Sequence, residues 1–223
     1  MKEGCLFVCA GESESFDFAV PVGIGLVDSS ARLSEILAQL TLFDELKSLK
    51  VSDEILHDLL AVEYSKCEIL AKFLEPNVKK QKNFLPNEII FIGSAGLYKN
   101  GELFEIFESQ NAANIEISLL DDKSYVPVPQ EVFNDVSRET FINSSNFITK
   151  DTLSAKKLFK LGAYAENMEF YSIMAVAKKF NIPAKGIFIA TNFCNANAHK
   201  DFMHNHSLAK DMLCEYLEHK GLI

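Results

Sequence analysis

The chain has only two arginines, Arg32 and Arg138, among 223 residues; its other cations are lysines. Arginine's planar fork is the usual grip for phosphate, so a phosphate site has little to draw on. Positive charge is scarce overall: 22 Lys and Arg stand against 31 Asp and Glu, a net charge of -9. Nucleic acid and anionic membranes both require a basic footprint, so neither is the expected main partner. Long apolar runs are missing as well. No stretch approaches the ~18 apolar residues of a membrane span. The first apolar run, CLFVCA, is too short for a secretory signal and leads directly into GESES. A cytoplasmic protein is the expectation. The five cysteines are odd in number, and the only close pair, Cys5 and Cys9, has a C-x3-C spacing. Neither a disulfide framework nor a zinc knuckle follows, and buried reduced thiols are expected. The sequence also lacks a G-x-S-x-G nucleophile elbow, a Walker A loop and a G-x-G-x-x-G fingerprint. Gly23-Ile24-Gly25 is only a fragment of the last.

Apolar residues make up 48% of the chain, enough for one sizeable core, so residues 1–223 are expected to form a single domain. CLFVCA predicts a buried strand. VPVGIGLVDSSARLSEILAQLTLF predicts a strand passing into a helix capped by Ser29 or Ser30. Residues 52–74 predict a second amphipathic helix, capped by Ser52 or Asp53. EIIFIGSAGLY predicts a strand that ends in a Gly93-Ser94-Ala95-Gly96 turn. ELFEIFES and NIEISLL alternate as half-buried strands, and SYVPVPQ suits an extended edge. TLSAKKLFKLG predicts a helix ended by Gly162. AENMEFYSIMAVAKKFN, residues 165–181, predicts a buried helix that stops before Pro183. AKGIFIATNF is a strand, and residues from about 198 to 219 form a closing helix. The pattern is α/β: three layers, with a central mixed β-sheet flanked by helices on both faces.

In such sheets ligands gather at the carboxyl ends of the strands. Five polar features fall there: the acidic loop after residue 10, Gly93–Gly96, Phe141-Ile142-Asn143, Thr191-Asn192, and Glu169 opening its helix. Glu169 lies between Met168 and Phe170 on an otherwise apolar stretch. A carboxylate in that setting must be paired, hydrogen-bonded or used.

The order GSAG, FIN, NMEF and IATN, with helix-proline-strand between the last two, resembles the purine nucleoside phosphorylase and nucleosidase superfamily. That superfamily joins nucleoside phosphorylases, methylthioadenosine/S-adenosylhomocysteine nucleosidases and futalosine hydrolases. The resemblance implies cleavage of the N-ribosidic bond of a small purine nucleoside, in a homo-oligomer, without metal or organic cofactor. It implies that Glu169 and Met168 of the Asn167-Met168-Glu169 motif hold ribose and that Phe141 stacks on the base. Ser94, with Gly93 and Gly96, would hold the attacking phosphate or water. Asn192 would contact the purine near N7, where many members carry an aspartate acid. Asparagine cannot be that acid, but its amide donates and accepts at once, which suits a 6-oxopurine. Glu12 or Glu14 matches the glutamate that activates water in the nucleosidases. A carboxylate beside a phosphate would be repulsive, which favours water, with phosphate as the competing co-substrate. His206 or His204 would reach a 5′-hydroxyl.

Plainer readings stand beside these. Glu169 would also suit a helix dipole, Asn192 a turn cap, and Phe141 the core. His204 and His206, two apart on a helix, do not face each other and so would not share a metal. A catalytically degenerate purine-nucleoside-binding protein is the alternative function.

Overall fold

The computed structural model describes residues 2–52, 54–56, 58–59, 69–71, 74, 83–134 and 141–223. In chain order the elements are β1 (Cys5–Cys9), a 3-10 turn (Glu12–Glu14), β2 (Val20–Pro21), α1 (Gly25–Ser48), β3 (Glu88–Leu97), β4 (Ile106–Ser109) and β5 (Asn111–Ala113). They continue with α2 (Ile117–Leu120), β6 (Glu131–Phe133), β7 (Phe141–Asn143), α3 (Thr152–Lys160), β8 (Ala163–Glu166), α4 (Phe170–Lys179), β9 (Ala184–Phe193) and α5 (Ala198–His219).

Among the described residues one mixed sheet of nine strands runs β2-β1-β3-β8-β7-β5-β6, with β9 beside β3 and β4 beside β9. Its central strands are apolar on both faces, as strands covered from both sides must be. Side chains alternate across the pleat. Leu6, Val8, Ile89, Phe91 and Phe188 join a core with Leu33, Ile36, Leu37 and Leu40 of α1 and with Ile173 and Met174 of α4. Phe7, Cys9, Ile90, Ile92, Ile187 and Ile189 join a second core with Ala209, Leu213 and Leu217 of α5. Helices therefore cover both faces, as the alternation of the sequence predicts.

The beginning of α1 departs from expectation. Ser29 and Ser30 lie inside the helix, which starts at Gly25. Its first amides are met from elsewhere: Gly25 N–H donates to the Glu169 carboxylate (2.9 Å) and Leu26 N–H to Asn146 Oδ1 (2.9 Å). Leu33, Ile36, Leu37 and Leu40 are fully buried, each worth about 1.5–3 kcal/mol, so burial holds the helix without a cap of its own.

Three further boundaries differ. Gly93–Gly96 is no turn, because β3 runs on to Leu97 with β9 paired along its side and a bulge between Ala95 and Gly96. NIEISLL is not a strand; the strand lies just before it, at Asn111–Ala113, and its own Ile117–Leu120 form one helical turn. Residues 163–166 form β8, and the helix predicted from 165 begins only at Phe170, since Ala163 and Ala165 pair with β7. The helix predicted over 52–74 lies largely outside the described residues, as do Asp53, His57, Cys67 and Arg138; Leu56, Leu70 and Leu74 are buried. No helix among the described residues is long and apolar enough to cross a membrane.

Candidate active site

The site exists because one edge of β3 is left open. β9 pairs along one side of β3 from Ile89 to Leu97. On the other side β1 covers Glu88–Phe91 and β8 covers Gly96–Leu97. Among the described residues, 92–95 have no strand partner there, so the Ser94 peptide groups face a gap. Side chains fill their needs, as buried backbone groups demand. Ser94 N–H donates to Glu14 Oε1 (2.7 Å), and Ser94 carbonyl accepts from Asn167 Nδ2 (3.0 Å).

Each partner reaches the gap by a local device. Beyond β1 the chain folds back through positive φ at Gly11 (104°) and Glu12 (52°) into the 3-10 turn that presents Glu14. Gly93 keeps the approach open: a Cβ there would stand 3.1 Å from the Phe91 ring and 3.5 Å from Glu14 Oε1. Asn167 follows β8, and its Oδ1 accepts from the N–H groups of Glu169 and Phe170 (both 2.9 Å). It therefore starts α4 and braces Ser94 together, with its polar groups spent inside the protein.

Glu169 is 2% exposed and sits between the N-termini of α1 and α4. Both helix dipoles favour its charge, yet burial outweighs them and raises its pKa to about 7. The Gly25 hydrogen bond opposes that rise and the nearby Glu14 charge adds to it. Burial also raises the pKa of Glu14, against hydrogen bonds from Ser94 and the field of His206.

Glu14, Ser94, Gly96, Asn167, Met168, Glu169 and Asn192 line one cavity of about 440 Å³ at the carboxyl ends of β1, β3, β8 and β9. Glu12 is exposed at its wall. Ile24, Ile148, His199, Phe202 and Met203 also line the cavity, all but Phe202 exposed. Asn192, 7% exposed, accepts at Oδ1 from the Thr191 hydroxyl (2.9 Å). Gly96 separates Asn192 from Glu166: a Cβ on Gly96 would lie 2.9 Å from Asn192 Nδ2. Glu12, Glu14, Glu166 and Glu169 all line the cavity, and none of the described residues lining it is Lys or Arg.

Two predicted residues stand apart. Phe141 is buried with Tyr98, Ala155 and Leu158, its ring 5.7 Å from that of Phe133, and lines a different hollow of about 520 Å³. His206 stacks on Phe202 (5.5 Å) and does not line the cavity, although its Nδ1 is buried without a hydrogen-bond partner among the described residues. His199 lines the cavity instead, and His204 is exposed. The sequence reading missed Glu166 because it placed residues 165–181 in a helix. A period-two reading of AYAE, with alanines on the buried face, would have put Glu166 at a strand end on the same rim.

An acid-lined pocket at the carboxyl edge of a mixed sheet suits a small neutral ligand rich in hydrogen-bond donors. No family model matches the sequence, and no curated protein matches it. Solved structures do match in fold. A mutant of the Helicobacter pylori methylthioadenosine nucleosidase, with 5′-methylthioadenosine in its active site, is 13% identical at a TM-score of 0.61, over 98% of this chain and 100% of that one. The S-adenosylhomocysteine nucleosidase of Streptococcus pyogenes, in complex with 5-methylthiotubericidin, is 12% identical at 0.61, over 97% and 95%. The futalosine hydrolase of Helicobacter pylori is 10% identical at 0.60, over 96% and 95%. The fold of this chain is thus the fold of these solved nucleosidase and futalosine hydrolase structures.

Proposed function

We propose that this protein hydrolyses the N-ribosidic bond of purine nucleosides, with 6-oxopurine nucleosides as its substrates and water as the acceptor. The observation that carries the reading is the occupation of the Ser94 amide. Where an anionic acceptor would dock, the Glu14 carboxylate already accepts that N–H at 2.7 Å. Phosphate brought there would meet four carboxylates and neither Lys nor Arg among the described lining residues. Water meets a base instead.

Glu169 and Met168 would hold the sugar. A carboxylate accepts about four hydrogen bonds, and Gly25 takes one, which leaves acceptor capacity for vicinal hydroxyls. As the C1′–N9 bond lengthens, the ribose gains oxocarbenium character, which the buried carboxylates favour. As water adds to C1′, Glu14 takes its proton, while the C1′–N9 electron pair leaves with the purine, whose anion is protonated from solvent. Asn192 would face N7 and O6 of the departing base, donating and accepting with one amide. The reading includes a cytoplasmic homo-oligomer that needs no cofactor.

Base release from inosine, guanosine, adenosine, methylthioadenosine and futalosine, followed by chromatography, tests the reading. Release from inosine or guanosine ahead of the adenine nucleosides is the expected result. Preference for adenine nucleosides would refute the 6-oxopurine assignment. Binding without release from any of them would favour a degenerate member, for which the lack of an acid at Asn192 is the supporting feature.

A further inference from the structure

We infer, resting on the reading of Glu14 as the base, that His206 is its positioning residue and supplies the counter-charge that the acid-lined cavity lacks.

His206 is the odd member of a buried stripe. Phe202, His206, Ala209 and Leu213 recur at helical spacing along α5. Ala209 and Leu213 are buried in the core, and Phe202 lines the cavity. His206 stacks on Phe202 with ring planes 27° apart, and its Nδ1 is buried without a hydrogen-bond partner among the described residues. An orphaned buried nitrogen costs stability, so packing alone would favour an apolar residue at this place.

The helix brings that ring close to the base. α5 packs against the 3-10 turn that carries Glu14. Asn205 Nδ2 donates to the Thr191 carbonyl (2.8 Å), which pins α5 to the end of β9. Lys210 Nζ stands 5.3 Å over the Phe16 ring, which pins it to the loop just beyond the turn. Glu14 itself is poorly placed to stay charged. Glu12, Glu166 and Glu169 line the same cavity, and no described lining residue is Lys or Arg. Burial pushes its pKa up; Ser94 hydrogen bonds oppose this, and the one side-chain charge that does so is that of His206. The other titratable groups around the turn do not share this role. Cys9 on β1, pushed up to about 11 by burial, stays a neutral thiol. Lys210 acts on Cys9, and Asp17 on Cys214, rather than on Glu14. His199 lines the cavity but does not act on Glu14 either, and Glu169 is itself an acid. Glutamate ordinarily loses its proton at lower pH than histidine, so an imidazolium is in place while Glu14 ionises.

NMR titration of protein labelled with 13C-glutamate reads Glu14 directly, its carboxyl resonance assigned by its loss in Glu14→Gln. His206→Phe keeps a ring on Phe202 and removes the charge. Its Glu14 midpoint is expected to rise by at least ~0.5 pH unit, and His206→Lys, with a permanent cation, to bring it back. Glu169 titrates in the neighbouring range, so the comparison is repeated in Glu169→Gln. In His206→Phe, kcat/KM for inosine should fall about threefold or more at pH 5 and match wild type at pH 8, where Glu14 is ionised without help. A merely structural role for His206 would lower both alike. Equal midpoints in wild type and His206→Phe would overturn the inference and leave the cleavage reading in place. A midpoint that rises in His206→Phe and returns in His206→Lys, with no cleavage of any nucleoside, would support the counter-charge and refute the hydrolytic role. In the wild type alone, the Glu14 resonance should shift a second time over the range in which the His206 ring titrates, which requires no variant to fold. A Glu14 resonance indifferent to that titration would also overturn the inference.

Discussion

Glu169→Gln separates what this site does from what it costs. The Glu169 carboxylate is buried, and its pKa is raised to about 7, against about 4.3 for an unfolded glutamate. Between those values the folded protein holds a proton that the unfolded chain has released. Stability therefore falls as pH rises through that window, and the loss is complete above about pH 8. At ~1.4 kcal/mol per pH unit the full loss is about 3.8 kcal/mol. Glutamine keeps the shape and can still accept the Gly25 N–H, but it does not titrate. Its new amide group finds no assured acceptor and costs about 1 kcal/mol. The variant should then exceed wild type by about 2–3 kcal/mol at pH 8, or roughly 5–10 °C in Tm for a chain of this size. At pH 4 the two should match or the variant should be slightly weaker. Activity should move the other way, losing about 10–100-fold in kcat/KM with the charge-assisted bonds to ribose. Thermal denaturation from pH 4 to 8, paired with an inosine assay, checks both. A variant whose stability declines with pH as steeply as wild type would refute the account of the raised pKa.

Three further substitutions probe separate parts. Glu14→Gln should lower kcat by about 10²–10⁴ with KM nearly unchanged, since it removes the base and leaves the sugar contacts; a rise confined to KM would refute that role. Gly96→Ala places a methyl 2.9 Å from Asn192 Nδ2 and 3.1 Å from Cys194 Sγ, so about 1–3 kcal/mol of stability and most base affinity should go, read by denaturation and hypoxanthine binding. Phe141→Leu should cost about 1 kcal/mol, because Phe141 packs in a small cluster with Tyr98 and Leu158. Its kcat/KM should stay within about threefold of wild type, and a collapse would place the ring on the base after all.

The central strands were legible from the sequence because burial on both faces leaves unbroken apolar runs, as in Ile89–Ile92 and Ile187–Ala190. Glu169 stood out as an acid on an otherwise apolar, buried stretch. Long-range pairing was the illegible part. The α1 cap comes from Glu169 and Asn146, far away in the chain, so the local Ser29-Ser30 signal misled. Gly93–Gly96 carries a turn composition, but the structure uses its glycines for close approach within a strand beside Phe91, Glu14 and Asn192. The open edge of β3, which creates the site, follows from the unequal lengths of β1, β8 and β9 and leaves no local trace. Glu166 was lost to the same cause, since the short strand carrying it pairs with residues distant in sequence.

The most direct test of the hydrolytic account is the sugar product formed from inosine, in phosphate-free buffer and again with added phosphate. Free ribose at the same rate under both conditions is the result the Glu14–Ser94 geometry predicts. Ribose 1-phosphate, or release that requires phosphate, would contradict it and reduce Glu14 to a structural acceptor of the Ser94 amide.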